Sequence, residues 1–177
     1  MASVAKKVTL LLSVQVASCG MILIGPTLDR MPEQVLWQSF RVLNCFFGVV
    51  FVISFLVFLF ALLNLGRALT PSPIPKRSGT LVVDGLYAYS RHPIYSALIF
   101  MALGWTGFWF SKFSLLGSIA LIIVLRKKAI FEEQLLIKRY GKDYEQYTLS
   151  VNRFLPTLRG RILKVCLHLR SKLLNHD

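Results

Sequence analysis

The chain has 177 residues, 55% of them hydrophobic, and its 21 Lys and Arg against 8 Asp and Glu give a formal net charge of +13. One domain of this length combines so much apolar content with so much charge only if the two are segregated along the chain, and here they are. The basic residues flank apolar runs, as anionic headgroups and the positive-inside rule select, and this pattern argues against a nucleic-acid partner.

Crossing a bilayer takes about 20 mostly apolar residues at about 1.5 Å rise per residue. Val8 to Pro26 and Val42 to Leu63 meet that length. A cleaved signal peptide is the rival for the first, since Lys6 and Lys7 precede it and Ala17, Ser18, Cys19 and Gly20 are small. The apolar run nevertheless continues through Met21 to Ile24, which favours a span. Pro93 to Phe110 is the third candidate. After Lys112, the 13 residues from Phe113 to Leu125 form a shorter fourth, read as the return arm of a helical hairpin completed by Arg126, Lys127 and Lys128 snorkelling toward headgroups, with a re-entrant segment as the alternative.

Charge sets the topology. Lys6 and Lys7 mark the N-terminus; the first loop balances Asp29 and Glu33 against Arg30 and Arg41. The loop from Gly66 to His92 carries four Lys or Arg and one Asp, and the segment from Arg126 onward carries twelve against five acids. Positive segments stay cytosolic, so both termini and the second loop face the cytosol. The expected fold is all-α: an integral, multi-pass membrane protein of about four transmembrane helices, the last two forming a hairpin, with cytosolic amphipathic helices. It divides into an N-terminal helix pair (1–64), a core (65–156) and a basic tail (157–177).

Between the second and third spans, Pro71, Pro73 and Pro75 hold the backbone extended. Leu81 to Val83 lead into Asp84-Gly85, a turn in which glycine supplies positive φ. Tyr87, Tyr89, Arg91 and His92 follow, at the cytosolic boundary. Pro93 suits a helix's first turn, where its missing N–H costs nothing. Further on, Ile130, Phe131, Leu135, Leu136, Ile137 and Tyr140 recur at helical spacing, predicting an amphipathic helix continuing out of the fourth span. Gly141 is its natural stop, and Asp143 with Gln146 predicts a capping box opening a short helix that carries Tyr144, Tyr147 and Val151. The tail places Leu158, Ile162, Val165, Leu169 and Leu173 on one face among basic residues, a membrane-surface helix. Cys19, Cys45 and Cys166 show no disulfide framework and no metal spacing, and His168 and His176 read as solvated.

The order Gly85-x-Tyr87, Arg91-His92-Pro93-x-Tyr95, Gly104-Trp105, Glu132-Glu133, Tyr140-Gly141-x-x-Tyr144-x-x-Tyr147 and Arg153-Phe154-x-Pro156 resembles the isoprenylcysteine carboxyl methyltransferase and phospholipid methyltransferase group of membrane enzymes. The likeness runs from about Leu65 to Pro156. One departure is visible: Ser96 and Ala97 stand after Tyr95, where many relatives place a glycine, though both are small enough for close helix contact.

The resemblance implies S-adenosyl-L-methionine as cofactor, in a pocket at the cytosolic ends of the hairpin and the helix after it. Glu132 or Glu133 are candidates to hold its ammonium or ribose diol. Arg91 or His92 are candidates for its carboxylate or adenine edge, and Tyr87, Tyr95 or Tyr144 for its cation or adenine face. A carboxyl terminus, of reference pKa about 3.5, arrives ionised, so methylating it needs alignment, exclusion of water and charge neutralisation rather than a base. Arg153, with no obvious acidic neighbour in sequence, is the candidate for neutralisation. An amine acceptor is protonated at neutral pH and needs a proton acceptor such as Glu133, the second catalytic candidate. This chemistry leaves the acceptor open; the resemblance of the Arg-His-Pro-x-Tyr and Arg-Phe-x-Pro signatures implies O-methylation of a C-terminal isoprenylcysteine on a prenylated protein as the expected function. The alternatives are N-methylation of a phospholipid or small amphiphile, and a non-catalytic scaffold of the same fold. The lipid bilayer is the expected environment, at the endoplasmic reticulum in a eukaryote or the inner membrane in a bacterium.

Overall fold

The computed structural model of the chain describes residues 2–29, 40–65 and 81–157. They form five α-helices and one short 3-10 turn: α1 (Ala2–Leu28), α2 (Arg41–Leu65), the 3-10 turn Gly85–Ala88, α3 (Pro93–Trp109), α4 (Lys112–Tyr140) and α5 (Lys142–Ser150). Among the described residues the fold is all-α. The expected proline strap between the second and third spans and the expected tail helix lie outside the described residues.

Two helices, Lys6–Leu28 and Arg41–Asn64, are long and apolar enough to cross a membrane; α3, with 17 residues, is shorter. Both long helices wear their apolar side chains outward: Leu10, Val16, Leu23, Val42, Phe46 and Phe60 are exposed, while Ser18, Asn44 and Ser54 are buried. A surface this apolar is a liability in water and the expected state in lipid, where close-packing small and polar residues turn inward. The helices are the elements of a membrane protein.

The chain forms two compact units. The first comprises the described residues up to Phe58 together with 97–130. Its helices pack through small residues. A methyl group on Gly104 would stand 2.9 Å from the Phe51 backbone nitrogen, and one on Gly117 would stand 3.0 Å from the Ser18 carbonyl oxygen. Pro26 lies inside α1 and has no N–H to give the Ile22 carbonyl, four residues earlier. That carbonyl instead accepts the Trp105 indole N–H at 2.9 Å and the Ser114 hydroxyl at 2.7 Å. Thr106 and Ser118 share a hydrogen bond of 2.8 Å, and the Ser118 hydroxyl also donates to the Ala102 carbonyl.

The break between α3 and α4 has a local cause. Phe110 takes a left-handed φ of 49°, and the Ser111 hydroxyl accepts the Ser114 backbone N–H at 3.0 Å, capping α4. From there α4 runs uninterrupted to Tyr140, so the fourth apolar stretch and the amphipathic stretch are one 29-residue helix. Arg126 and Lys127 are exposed, as snorkelling requires. Lys128 corrects the expectation: it is buried, and its ammonium donates to the Gln15 side-chain oxygen at 3.3 Å. A cation at that depth needs a polar partner, and Gln15 on α1 supplies one.

The second unit comprises 59–65, 81–96 and 131–157 of the described residues. Gly85 has φ +60, as its turn demands, and a methyl group there would collide with the Asn64 side chain. Gly141, φ +55, ends α4. The capping box is not formed: α5 starts one residue before Asp143, Gly141 occupies the cap position, and no side chain caps it. Asp143 falls instead in the first turn, where a carboxylate suits the helix dipole. Tyr144, Tyr147 and Val151 form the core of this unit, packed by Leu81, Val83, Leu136 and Tyr140.

Candidate functional site

Two segments of the second unit are laced together by their backbones. Arg91 N–H donates to the Asn152 carbonyl at 2.9 Å, His92 N–H to the Arg153 carbonyl at 3.1 Å, and Thr157 N–H to the Tyr89 carbonyl at 2.8 Å. Ser90 and Asn152 form a parallel bridge. Serine hydroxyls reinforce it: Ser90 donates to the Arg153 carbonyl at 3.0 Å, and Ser96 to the Phe154 carbonyl at 2.6 Å. Arg91-His92 and Arg153, some sixty residues apart in sequence, are thereby fixed beside each other. Buried N–H and C=O groups must be paired, so this lacing also satisfies a stretch of chain that has no helix to do so.

The acidic pair on α4 meets these residues. Glu133 is 6% exposed. Arg153 grips it with two parallel bonds, Nε to Oε1 at 2.9 Å and Nη2 to Oε2 at 2.7 Å. His92 Nε2 lies 3.2 Å from Oε1, and Arg91 Nη2 lies 3.4 Å from the same oxygen. An ionised carboxylate only accepts, so His92 carries its proton on Nε2 in this contact. Burial alone pushes the Glu133 carboxyl upward; the hydrogen bonds from His92 and Arg153 and the Arg91 charge outweigh it and bring it down from 4.5 to about 2. The same pairing raises Arg153.

Glu132 is placed differently. Consecutive residues on a helix point about 100° apart, and Glu132, its side chain 27% exposed, takes the Tyr95 hydroxyl at 2.9 Å on Oε2 and sits 3.9 Å from His92 Nδ1. Tyr95 does a second job, stacking on the His92 ring with centroids 5.2 Å apart and planes 3° from parallel. Tyr95 thus fixes His92 by its face and Glu132 by its hydroxyl.

Tyr144 is buried and meets Tyr147 edge-on at 5.7 Å. Burial first and then the neighbouring Glu133 raise its phenol. Tyr87 is buried too, its phenol raised by burial and by Glu132, and its carbonyl accepts the Tyr147 hydroxyl at 2.5 Å. The structure therefore brings Arg91, His92, Tyr95, Glu132, Glu133 and Arg153 into one bonded cluster. Tyr87 and Tyr144 lie within its electrostatic reach without bonding to it.

Two features differ from the sequence reading. Arg153 does have an acidic neighbour, Glu133, twenty residues away in sequence and in bidentate contact. The positioning residues Ser90, Ser96 and Asn152 were not singled out for this role; the only signal for Ser96 was its small size after Tyr95. The donor set suits an anion as well as a cation. Arg91 Nε is buried and has no hydrogen-bond partner, the Glu132 side chain is 27% exposed against 8% for Glu133, and the Arg153 side chain is 30% exposed. Among the described residues no group of three or more His, Cys, Asp or Glu is arranged to hold a metal.

Comparison with known proteins points the same way. The protein-S-isoprenylcysteine O-methyltransferase of Schizosaccharomyces pombe is 38% identical over 80 residues, which cover 44% of this chain and 34% of that enzyme, so the likeness spans about a third of the relative's length. The family description "isoprenylcysteine carboxyl methyltransferase (ICMT) family" matches residues 46–138, more than half of the chain. That span holds Arg91, His92, Tyr95, Glu132 and Glu133, the side chains around which the cluster is built, and the chain belongs to the isoprenylcysteine carboxyl methyltransferase family.

Proposed function

We propose that the chain is a multi-pass membrane methyltransferase that uses S-adenosyl-L-methionine to esterify the carboxylate of a C-terminal isoprenylcysteine. In this reading α1, α2, α3 and the first part of α4 cross the bilayer, the last two as a hairpin. Both termini and the cluster face the cytosol, as the charge distribution requires. In a eukaryotic cell the membrane is that of the endoplasmic reticulum.

The observation that carries the choice of acceptor is the state of Glu133. A carboxylate held by two arginines and a histidine, with its pKa brought to about 2, is a poor proton acceptor. Removing a proton from an ammonium headgroup calls for a base poised near the working pH. A C-terminal carboxylate arrives ionised and asks only for a cation and alignment, which Arg153 supplies.

The cofactor brings an electrophilic methyl carbon on a sulfonium. The residues present fit it. Arg91, through its unpartnered Nε, suits the cofactor carboxylate. Glu132, the more exposed acid, suits the ammonium or the ribose diol, and Tyr87 and Tyr144 contribute aromatic surface. Tyr95 and His92 keep that acid in place. The protein excludes water from the reacting atoms and neutralises the acceptor, so each contact acts in a medium of reduced dielectric.

The test is methyl transfer by the purified protein in phosphatidylcholine liposomes, with labelled S-adenosylmethionine and either N-acetyl-S-farnesylcysteine or phosphatidylethanolamine as acceptor. Label released as methanol by base, and only with the prenylcysteine, is the expected result. Base-stable label on the phospholipid establishes an N-methyltransferase instead. Binding of neither cofactor nor acceptor by folded protein leaves a scaffold.

A further inference from the structure

A guanidinium has five N–H groups on a planar fork, and a carboxylate can take it from either of two edges. Glu133 uses the side edge of Arg153, the Nε–H at 2.9 Å and one Nη2–H at 2.7 Å. That leaves three N–H groups, of which one on Nη1 and the second on Nη2 lie parallel and make the end edge, another bidentate fork. Among the described residues no group bonds Nη1, and the atom is not sealed from the surface: the Arg153 side chain is 30% exposed, whereas Glu133 is nearly fully buried. Its backbone is fixed as well, because its carbonyl accepts both the His92 N–H and the Ser90 hydroxyl. The Arg153 side chain is thus held at its backbone and along one guanidinium edge, and the other edge is left unengaged by the described residues.

Glu133, in contrast, has little left to offer a ligand. Oε1 already faces Arg153, His92 and Arg91 within 3.4 Å, and Oε2 holds the shortest of the Arg153 bonds. An ammonium or a diol seeking a carboxylate finds Glu132 more open.

We propose that Glu133 is a positioning residue for acceptor selection: it clamps the Nε/Nη2 edge of Arg153 so that the Nη1/Nη2 edge receives an anionic carboxylate from the acceptor. The inference rests on the methyltransferase reading above and assigns the two acids separate roles, Glu132 toward the cofactor and Glu133 toward Arg153. The second fork explains how Arg153 serves the acceptor without first leaving Glu133. An arginine suits this role better than a lysine, since an ammonium, with three donors on one nitrogen, offers no second planar fork to present bidentately once one carboxylate holds it.

The test is equilibrium binding to the purified full chain in detergent. The probes are N-acetyl-S-farnesylcysteine, its neutral carboxamide and, separately, S-adenosylhomocysteine. The wild type is expected to prefer the carboxylate over the carboxamide by about tenfold or more. Glu133→Gln is expected to reduce that preference to within about threefold, a larger loss than any it causes in S-adenosylhomocysteine affinity. Arg153→Lys, which keeps the charge and loses the fork, is expected to lose the preference too, and it decides the matter if Glu133→Gln does not fold. A Glu133→Gln protein that keeps the preference but loses S-adenosylhomocysteine binding overturns the inference and makes Glu133 a cofactor ligand. A preference that survives Arg153→Lys overturns it as well, because a point charge then suffices. A wild type that binds S-adenosylhomocysteine but does not distinguish the two acceptors sinks this inference alone; one that binds neither cofactor product nor acceptor sinks the methyltransferase reading with it.

Discussion

Ser96 donates its hydroxyl to the Phe154 carbonyl oxygen at 2.6 Å, tying the first turn of α3 to the segment that carries Arg153. The same hydroxyl lies 3.0 Å from the His92 carbonyl oxygen. A glycine or alanine here preserves close packing but leaves the Phe154 carbonyl only the Ser90 hydroxyl, 3.3 Å away and shared with the Arg153 carbonyl at 3.0 Å. Ser96→Ala is expected to cost about 1–2 kcal/mol of stability, the loss of one buried hydrogen bond with its acceptor left behind. Thermal unfolding in detergent, followed by tryptophan fluorescence, checks it; an unchanged midpoint means the carbonyl finds another partner.

Tyr95 offers two separable contacts. Tyr95→Phe keeps the stack on His92 and loses the bond to Glu132, and it is expected to weaken S-adenosylhomocysteine binding about fivefold, near 1 kcal/mol. Tyr95→Leu loses both contacts and is expected to weaken binding further. Titration calorimetry on the two variants reads the difference, and equal losses would mean that the hydroxyl alone matters.

The Glu133 cluster gives a pH dependence with a defined sign. Its carboxyl is lowered from 4.5 to about 2 in the folded protein, so its contribution to stability is complete above 4.5 and is lost as pH falls through about 2. The shift corresponds to roughly 3 kcal/mol. Between pH 5 and 7 this group is expected to leave stability flat, and the deficit of Glu133→Gln relative to wild type is expected to narrow only below about pH 4.5. Urea unfolding at stepped pH tests this, and a deficit that narrows already at pH 6 would assign the effect to another group.

The doubly accepted Ile22 carbonyl predicts non-additivity. Trp105→Phe and Ser114→Ala each leave one donor on an oxygen that Pro26 cannot serve, so each is expected to cost about 1 kcal/mol. The double substitution leaves the oxygen buried and unpaired, and is expected to exceed the sum of the singles by about 1 kcal/mol or more. A double-mutant cycle on thermal stability measures the excess; strict additivity would mean the two donors act independently.

What the sequence made legible is what local chemistry and period decide. The apolar lengths announced α1 and α2, Gly85 and Gly141 announced their positive φ, and Pro93 announced the start of α3. Hidden features depended on partners far along the chain. Ser111 caps α4 without the acidic partner that makes a capping box recognisable, and Lys128 was indistinguishable from the snorkelling Arg126 and Lys127 until Gln15 of α1 met it. The site residues were named in advance, but Glu132 and Glu133 looked interchangeable. Their roles separate only in three dimensions, because adjacent helical residues face different neighbours and the partner of Glu133 lies beyond a helix and a turn, at Arg153.

The most direct test of the central claim is calorimetric binding of S-adenosylhomocysteine to the purified, folded protein in detergent, with His92→Ala beside the wild type. The cluster around Arg91, His92 and Glu132 predicts saturable one-to-one binding that His92→Ala weakens by more than about tenfold, or 1.4 kcal/mol. Absence of binding by a folded, monodisperse wild type would contradict the methyltransferase account.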